Sequence, residues 1–484
     1  MTDIAEKTPT IIPKAPSRIP KAPSRLPSVL LPAIAFFMVT LDSLVVVTAL
    51  PSIHAALGGG DGALQWIVNA YNLTFAAGIV TGAALGERYG RRRVFLAGLA
   101  VFTLASAACA VAPTLGLLIA FRAVQGLGGA ILAPVGLTLV TAAFPAAKRG
   151  AAVGLWGGIA GLGVAAGPLV GGAVTQGLDW HWIFWVNVPF GVLAFAGCAF
   201  VLSDGQAGRS GPRQPLDLPG MALAALTLAA LVDGLVEAPT RGWTDGRVLL
   251  MLALAAVSLV AFVVRQARAA APMIPLSLFR SRVFSAASAA NLLGMGATFA
   301  AAYITSEFFQ VGLGYTPLGT GLRFLPWTAT PLLIAPLAGL LFDRLGARRV
   351  AAPGLLLQAA GFIWIVMLAG AHASWGAYVV PFILAGVGIS MALPSLPAAA
   401  LSAVPPASLG AAAGVANTAQ RVGSVVGIAV VTAVFDANGS LASAHATTLG
   451  YRPALLAAAL LSALGAAAAL AAGGKPRLVT PSSS

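Results

Sequence analysis

Few residues in this 484-residue chain can do ionic or acid–base chemistry: it has 14 acidic residues, 28 basic residues and 4 histidines. Asp42 and Arg122 stand apart because each is embedded in an apolar run, VTLDSLVVV and LLIAFRAVQGLGGA. On insertion scales an ionised side chain within a membrane span costs from about 2.5 kcal/mol upward, so it should face protein or water and have a partner. Each lies about eight residues, or about 12 Å, from the outer end of its own segment, which makes them natural partners. A carboxylate so placed can take up a proton when desolvated and release it when paired with the arginine. The alternative is a purely structural ion pair.

Other charged residues give weaker signals. Asp233 and Glu237 sit one helical turn apart near the outer end of the seventh apolar segment, as a proton antechamber or simply an interfacial polar edge. Glu307 and Arg323 lie near outer ends and are candidates for an outer-gate pair. Arg421 falls near the middle of the thirteenth segment with no obvious acidic partner. Cys109 and Cys198 lie in apolar runs without disulfide or metal spacing, and the histidines are scattered singly. No catalytic cluster, metal site or cofactor is expected, so an enzyme is disfavoured.

The elements that must position these residues are membrane spans. The chain is 58% hydrophobic and 9% charged, with a mean hydropathy of +0.91. That composition belongs to a polytopic all-α membrane protein. About fourteen segments of spanning length are expected near 28–50, 64–86, 94–113, 115–140, 150–175, 184–203, 218–238, 247–267, 282–307, 317–342, 350–371, 374–400, 410–435 and 451–473. The net charge of +14 would suggest nucleic acid in a soluble protein. Here about 22 of the 28 basic residues fall on one side of the expected spans, counting both tails, against about three on the other. Both termini should therefore be cytoplasmic and no nucleic-acid partner is implied. The first span is long enough to stay as a span rather than act as a cleaved signal. Residues 1–27 carry a tandem repeat, PKAPSRI at 13–19 and PKAPSRL at 20–26, and read as a disordered basic cytoplasmic tail. Residues 28–203 then form a first six-helix bundle. Segments seven and eight lie within 204–281, 282–473 forms a second six-helix bundle, and 474–484 is a second cytoplasmic tail.

Two patterns support a duplicated, moving molecule. GAALGERYGRRR at 82–93 is echoed by GLLFDRLGARR at 339–349, each after the second span of a six-span set, as internal repeats in transporters would give. In GLGVAAGPLVGG at 161–172, Gly163, Gly167 and Gly171 recur every four residues and Gly172 follows, making a helix face without side chains. Pro168 should bend that helix.

This run, G-x-x-x-G-P-x-x-G-G, resembles the antiporter motif in the fifth span of drug-exporting members of the major facilitator superfamily. LDSLVVVTALPSI resembles the first-span motif of the fourteen-span drug:proton antiporters through Asp42, Ala49, Leu50 and Pro51, with Leu44 and Val47 where threonine and asparagine are usual. Arg122, Gln125 and Gly126 resemble the fourth-span motif linked to proton transfer. Trp180, Trp182, Asn187 and Pro189 match a string after span five. Gln310, Gly314, Tyr315, Pro317, Gly321 and Pro326 match the ninth-to-tenth junction, and Asn417, Gly423 and Gly427 match span thirteen. The resemblance covers nearly all of the chain from residue 28 on.

The resemblance implies a major facilitator fold of two six-helix bundles plus two additional central helices. The two echoing loops resemble the superfamily's cytoplasmic signature, in the second copy through Gly339, Asp343, Gly346 and Arg348. They imply a cytoplasmic gate of Glu87, Arg88, Gly90 and Arg91, mirrored by Asp343, Arg344 and Gly346. Glu87 would meet the start of span thirteen near Ser408–Gly410, and Asp343 the start of span five near Gly150. A helix N-terminus favours a carboxylate by about 0.3–1 kcal/mol. Substrate would contact Gln125, Asn187, Gln310, Arg323, Asn417 and Arg421. The implied activity is proton-coupled export of antibiotics or other amphipathic small molecules across the plasma membrane, by a protein acting as a monomer. A proton-coupled symporter importing a metabolite and a non-transporting receptor remain rivals. Because the midspan charges of the second half are arginines, neutral or anionic substrates should be preferred.

Overall fold

In the computed structural model, the described residues are 25–58, 61–142, 144, 149–202, 217–269, 272–370, 374–405, 408–440 and 442–472. They form helices joined by short turns. The first group is α1 (Arg25–Leu57), α2 (Asp61–Tyr89), α3 (Arg91–Ala110), α4 (Leu115–Ala142), α5 (Arg149–Gly177), α6 (Trp182–Trp185) and α7 (Asn187–Val201). A hairpin follows, α8 (Leu218–Arg241) and α9 (Gly246–Arg268). The second group is α10 (Arg282–Glu307), α11 (Pro317–Thr328), α12 (Thr330–Leu345), α13 (Ala347–Leu368), α14 (Trp375–Ser402), α15 (Leu409–Asn438) and α16 (Ala444–Ala471). Each of the fourteen expected segments coincides with one helix or with a helix broken once, at α6/α7 and at α11/α12. Among the described residues eleven helices are long and apolar enough to cross a membrane, twelve when the bent α2 counts as one span. The remaining expected spans, five and seven, are α5 and α8. The body of the disordered-tail expectation and the whole of 474–484 lie outside the described residues, but α1 begins at Arg25, so the last part of the proline repeat is helical.

Burial divides the molecule into two bundles. Every buried apolar cluster among the described residues is drawn wholly from α1–α7 or wholly from the chain after Pro275. The repeat seen in the sequence is also structural. Gly90 and Gly346, the glycines closing the two echoing loops, both precede a helix with positive φ, 97° and 79°. Only glycine takes that conformation without strain, so the chain can leave α2 and enter α3, or leave α12 and enter α13, in one residue.

The α8–α9 hairpin is central in the sequence but peripheral in space. Helix α8 packs on both α2 and α15, whereas α9 packs on α8 and presents Leu250, Val257 and Val260 outward. Its inner end is knotted by Asp217. This carboxylate caps α8 through the Gly220 N–H and accepts from Arg265 (3.1 Å) and Gln266 (2.7 Å), while Gln266 in turn accepts from the Ile274 N–H. Burial alone would push the Asp217 pKa up. The three hydrogen bonds and the Arg265 charge outweigh it and hold the carboxyl below its usual range.

The glycine run does not act as a single face. Gly163 and Gly167 pack against α1 of their own bundle: a Cβ on Gly163 would press on Thr40 and the Phe37 carbonyl, and one on Gly167 would lie 2.6 Å from Leu44 Cβ. Gly161 and Gly172 instead meet Pro331 and Leu318 of the opposite bundle. The same device recurs at α15, where Gly423 and Gly427 press on Leu292 and Gly296 of α10. Helix α5 runs on through the Pro168 position to Gly177, and the proline's own side chain lies outside the described residues.

Overpacking a tight site typically destabilises by about 1–3 kcal/mol. Gly167→Leu should therefore lower the thermal midpoint of the detergent-solubilised protein, since it splits α1 from α5 inside one bundle. Gly172→Leu acts between bundles and should lower transport with a smaller change in midpoint. A Gly167→Leu protein with the wild-type midpoint would mean the groove faces lipid.

Candidate transport site

The buried carboxylate and arginine meet. Arg122 Nη1 lies 2.5 Å from Asp42 Oδ2, and both side chains are fully buried. The opposite oxygen, Oδ1, accepts from Gln125 (3.0 Å) and Asn187 (2.8 Å). Arg122 also donates to Gln125 Oε1 (2.7 Å) and to the Ile67 carbonyl (3.2 Å). Asn187 donates on to Ser106 (3.1 Å), whose hydroxyl donates to the Phe184 carbonyl. The site is thus assembled from α1, α2, α3, α4, α6 and the start of α7. Its charges are neutralised locally and nearly all its lone pairs are used, the condition under which a buried ion pair is tolerated. Arg122 Nη2 is the guanidinium nitrogen left without a hydrogen bond.

Gln125 and Asn187 were expected to line a substrate cavity. They instead bond the carboxylate itself, because helix spacing brings Gln125 onto the Arg122 face and the α6–α7 break points Asn187 inward.

Tyr71 and Phe75 are partners that the sequence reading missed. The Arg122 guanidinium carbon sits 4.1 Å from the centre of the Tyr71 ring, and Tyr71 donates to the Val39 carbonyl. One turn on, Phe75 lies with its ring centre 5.8 Å from that of Tyr71 and carries Arg421 of α15 at 4.1 Å on its face. The available signal was two aromatics four apart on one helix, which share a face. That face joins the acidic site of the first bundle to the midspan arginine of the second.

The cytoplasmic gate residues split. Glu87 lies against Gly410 at the start of α15, where its carboxylate would collide with any added Cβ. Together with Arg91, Gly86, Pro134 and Ala413 it lines a small cavity where α2 meets α15. Arg88 lies with its guanidinium 5.3 Å from the Tyr89 ring centre. Asp343 and Arg344 are exposed at the inner end of α12, and the side-chain position of Gly150, the neighbour expected for Asp343, lies outside the described residues.

The other expected pairs form differently. Arg323 does not meet Glu307: its guanidinium stacks 3.8 Å over Tyr315 and donates to the Gly319 carbonyl of its own helix. Glu307 borders a small outer cavity with Tyr303, Thr432 and Asp436. Gln310 donates to Ser306 and Asn417 to Ala413, each one turn back on its own chain. Asp233 pairs with Arg247 across the hairpin (3.5 Å), and Glu237 pairs with Arg241. Both acids are thus taken up within the α8–α9 turn rather than joined to Asp42. Among the described residues no group of histidines, cysteines and carboxylates has the spacing of a metal site.

Comparison with known proteins agrees with this architecture. The family model of the Major Facilitator Superfamily matches residues 33–428, and matches again over 292–482. The Multidrug resistance protein Stp of Mycobacterium tuberculosis is 37% identical over 407 residues, 84% of this chain and 74% of that protein. The Tetracenomycin C resistance and export protein of Streptomyces glaucescens is 34% identical over 399 residues, 82% of this chain and 74% of that one. Among solved structures, the proton:xylose symporter XylE superposes with a TM-score of 0.64 at 16% identity, covering 92% of this chain and 94% of that one, and the likeness speaks to the fold. With two six-helix bundles, duplicated loops and these matches together, the chain belongs to the Major Facilitator Superfamily of membrane transporters.

Proposed function

We propose that the protein is a proton-coupled antiporter that exports antibiotics or other amphipathic small molecules from the cytoplasm across the plasma membrane. The observation that carries this is the sealed Asp42 site. A carboxylate held by Arg122, Gln125 and Asn187 has two stable conditions: ionised within the cage, or protonated when the cage loosens and desolvation dominates. Four of the helices that build the cage, α1–α4, also carry the Glu87 gate and the α5 contacts, so a proton on Asp42 biases which end of the molecule is closed. That is a differential interaction with two states, which alternating access requires. Relatives such as the Cephamycin export protein of Amycolatopsis lactamdurans, 36% identical over 410 residues, support the outward direction and the drug-like cargo.

In the cycle, the inner contact at Glu87 and Gly410 opens and substrate enters from the cytoplasm or inner leaflet. Rocking then closes the inner ends and opens the outer ones. A proton arriving from outside neutralises Asp42, releases Arg122 and resets the equilibrium inward. The partners are the substrate, protons and the bilayer; the driving force is the proton gradient, with no bound cofactor, and a monomer carries the whole site.

Asp42→Asn should abolish proton-driven efflux in inverted vesicles while substrate binding by the purified protein stays detectable. Uphill pumping by that variant would move the proton site elsewhere, with Asp233 next to be tested. The basic-residue asymmetry further implies that both termini are cytoplasmic. A reporter active only outside the cell should then give signal when fused at residue 240 and none at residue 275. Signal at both positions, or at 275 alone, would show that the α8–α9 hairpin does not span.

A further inference from the structure

We propose that Arg421 is the anchor for an acidic group on the substrate, and that Phe75 is the partner this group displaces from it. This rests on the transport reading above and specifies its substrate class: flat aromatic molecules carrying an ionised carboxylate or a comparably acidic oxygen.

Arg421 lies midway along α15, and its guanidinium has no carboxylate and no hydrogen-bond acceptor among the described residues. Its described partners are the Phe75 face, 4.1 Å away on the opposite bundle, and, through space, Tyr71 of the same α2 face, neither of which offers it a carboxylate. Its side chain is partly buried, where Arg122 is fully buried. The contrast with Arg122 is direct, since that arginine is saturated by Asp42, Gln125 and a backbone carbonyl. An arginine left without an oxygen partner at this depth is retained against a standing penalty.

Phe75 cannot follow Arg421 if the bundles part. Its ring is wedged on Gly129 of α4, where an added Cβ would lie 2.8 Å from it, and on Tyr71 behind it. Opening the inner contact carries α15 away from α2 and strips Arg421 of its α2 partners. An oxyanion entering from the cytoplasm replaces a ring quadrupole with charge-assisted hydrogen bonds, the stronger interaction. The aromatic body then rests on the uncovered Phe75 ring. When the bundles close again, Phe75 competes for the guanidinium and favours release. A cationic substrate meets an unneutralised like charge at the same place.

The test uses purified full-length protein and three probes of one scaffold: anthracene-9-carboxylate, its methyl ester, and 9-anthracenylmethyl-trimethylammonium, each followed by fluorescence polarisation. The carboxylate should bind about tenfold tighter than the ester and tighter still than the cation. Arg421→Gln should remove that preference while leaving ester affinity unchanged, and Arg421→Lys should restore part of it. Phe75→Leu should raise the carboxylate-to-ester ratio, because the competitor for the guanidinium is gone. A wild type that binds the cation best, or fails to bind the carboxylate, overturns the proposal. So does an unchanged ratio in Arg421→Gln, or a lower one in Phe75→Leu if the glutamine variant does not fold. Proteoliposomes separate this from the transport reading. Carboxylate preference without proton-driven export leaves the anchor standing and removes the antiporter. Export whose charge selectivity ignores Arg421 does the reverse.

Discussion

The constraint on which the rest of the structure depends is the burial of one carboxylate inside a lipid-embedded bundle. Truncating one partner of a buried ion pair typically destabilises by about 3–5 kcal/mol, because the other charge is left uncompensated. The first bundle answers by surrounding Asp42 with three donors from two helices, α4 and α7, and placing an aromatic ring of α2 under the arginine. None of α1, α4 and α7 can shift far without unbonding the carboxylate. The glycine contacts of α5 on α1 serve the same end, since they hold the Asp42 helix at backbone distance. In lipid, where apolar surface gives no drive for helices to associate, such close approach and polar bonding are what packing consists of.

The second bundle repeats the framework without the charge. Its glycine contact of α15 on α10 repeats that of α5 on α1, and Gly346 repeats Gly90. Its buried polar core is neutral: Gln358 donates to Thr298 and accepts from Ser462. The buried ion pair therefore belongs to one half alone. In the proposed cycle that asymmetry would let a single proton bias the whole molecule.

Much of this was legible in the sequence because lipid enforces simple rules. Spanning segments follow from run length, and the duplicated loops from the recurrence of glycine, acid and arginine at one spacing. The Asp42–Arg122 encounter follows from depth, since two charges in apolar runs at one level have few other partners. What the sequence left open was rotation about each helix axis. Gly163 and Gly161 differ by two residues and so face different bundles. Likewise, Arg323 is close enough to its own Tyr315 to stack there, an option that depth alone does not reveal. Gln125 and Asn187 were recognised as polar and inward, but only the helix break after Trp185 shows that they bond the carboxylate rather than the cavity.

The hairpin raises a last physical point. Helix α8 touches α2 and α15, the two helices that must separate at their inner ends if the Glu87 contact is to open. A rigid insert bridging them would block that motion. The Asp217 knot, however, ties only hairpin residues and the loop at Ile274, and none of its hydrogen bonds reaches α2 or α15. Thr227 and Ser258 likewise bond α8 to α9 and not to either bundle. These hydrogen bonds are thus internal to the hairpin, and none of them ties it to either bundle. Apolar contact is non-directional, so it lets helices slide where hydrogen bonds would hold them. The additional helices can therefore cover the seam on one side while the bundles rock beneath them.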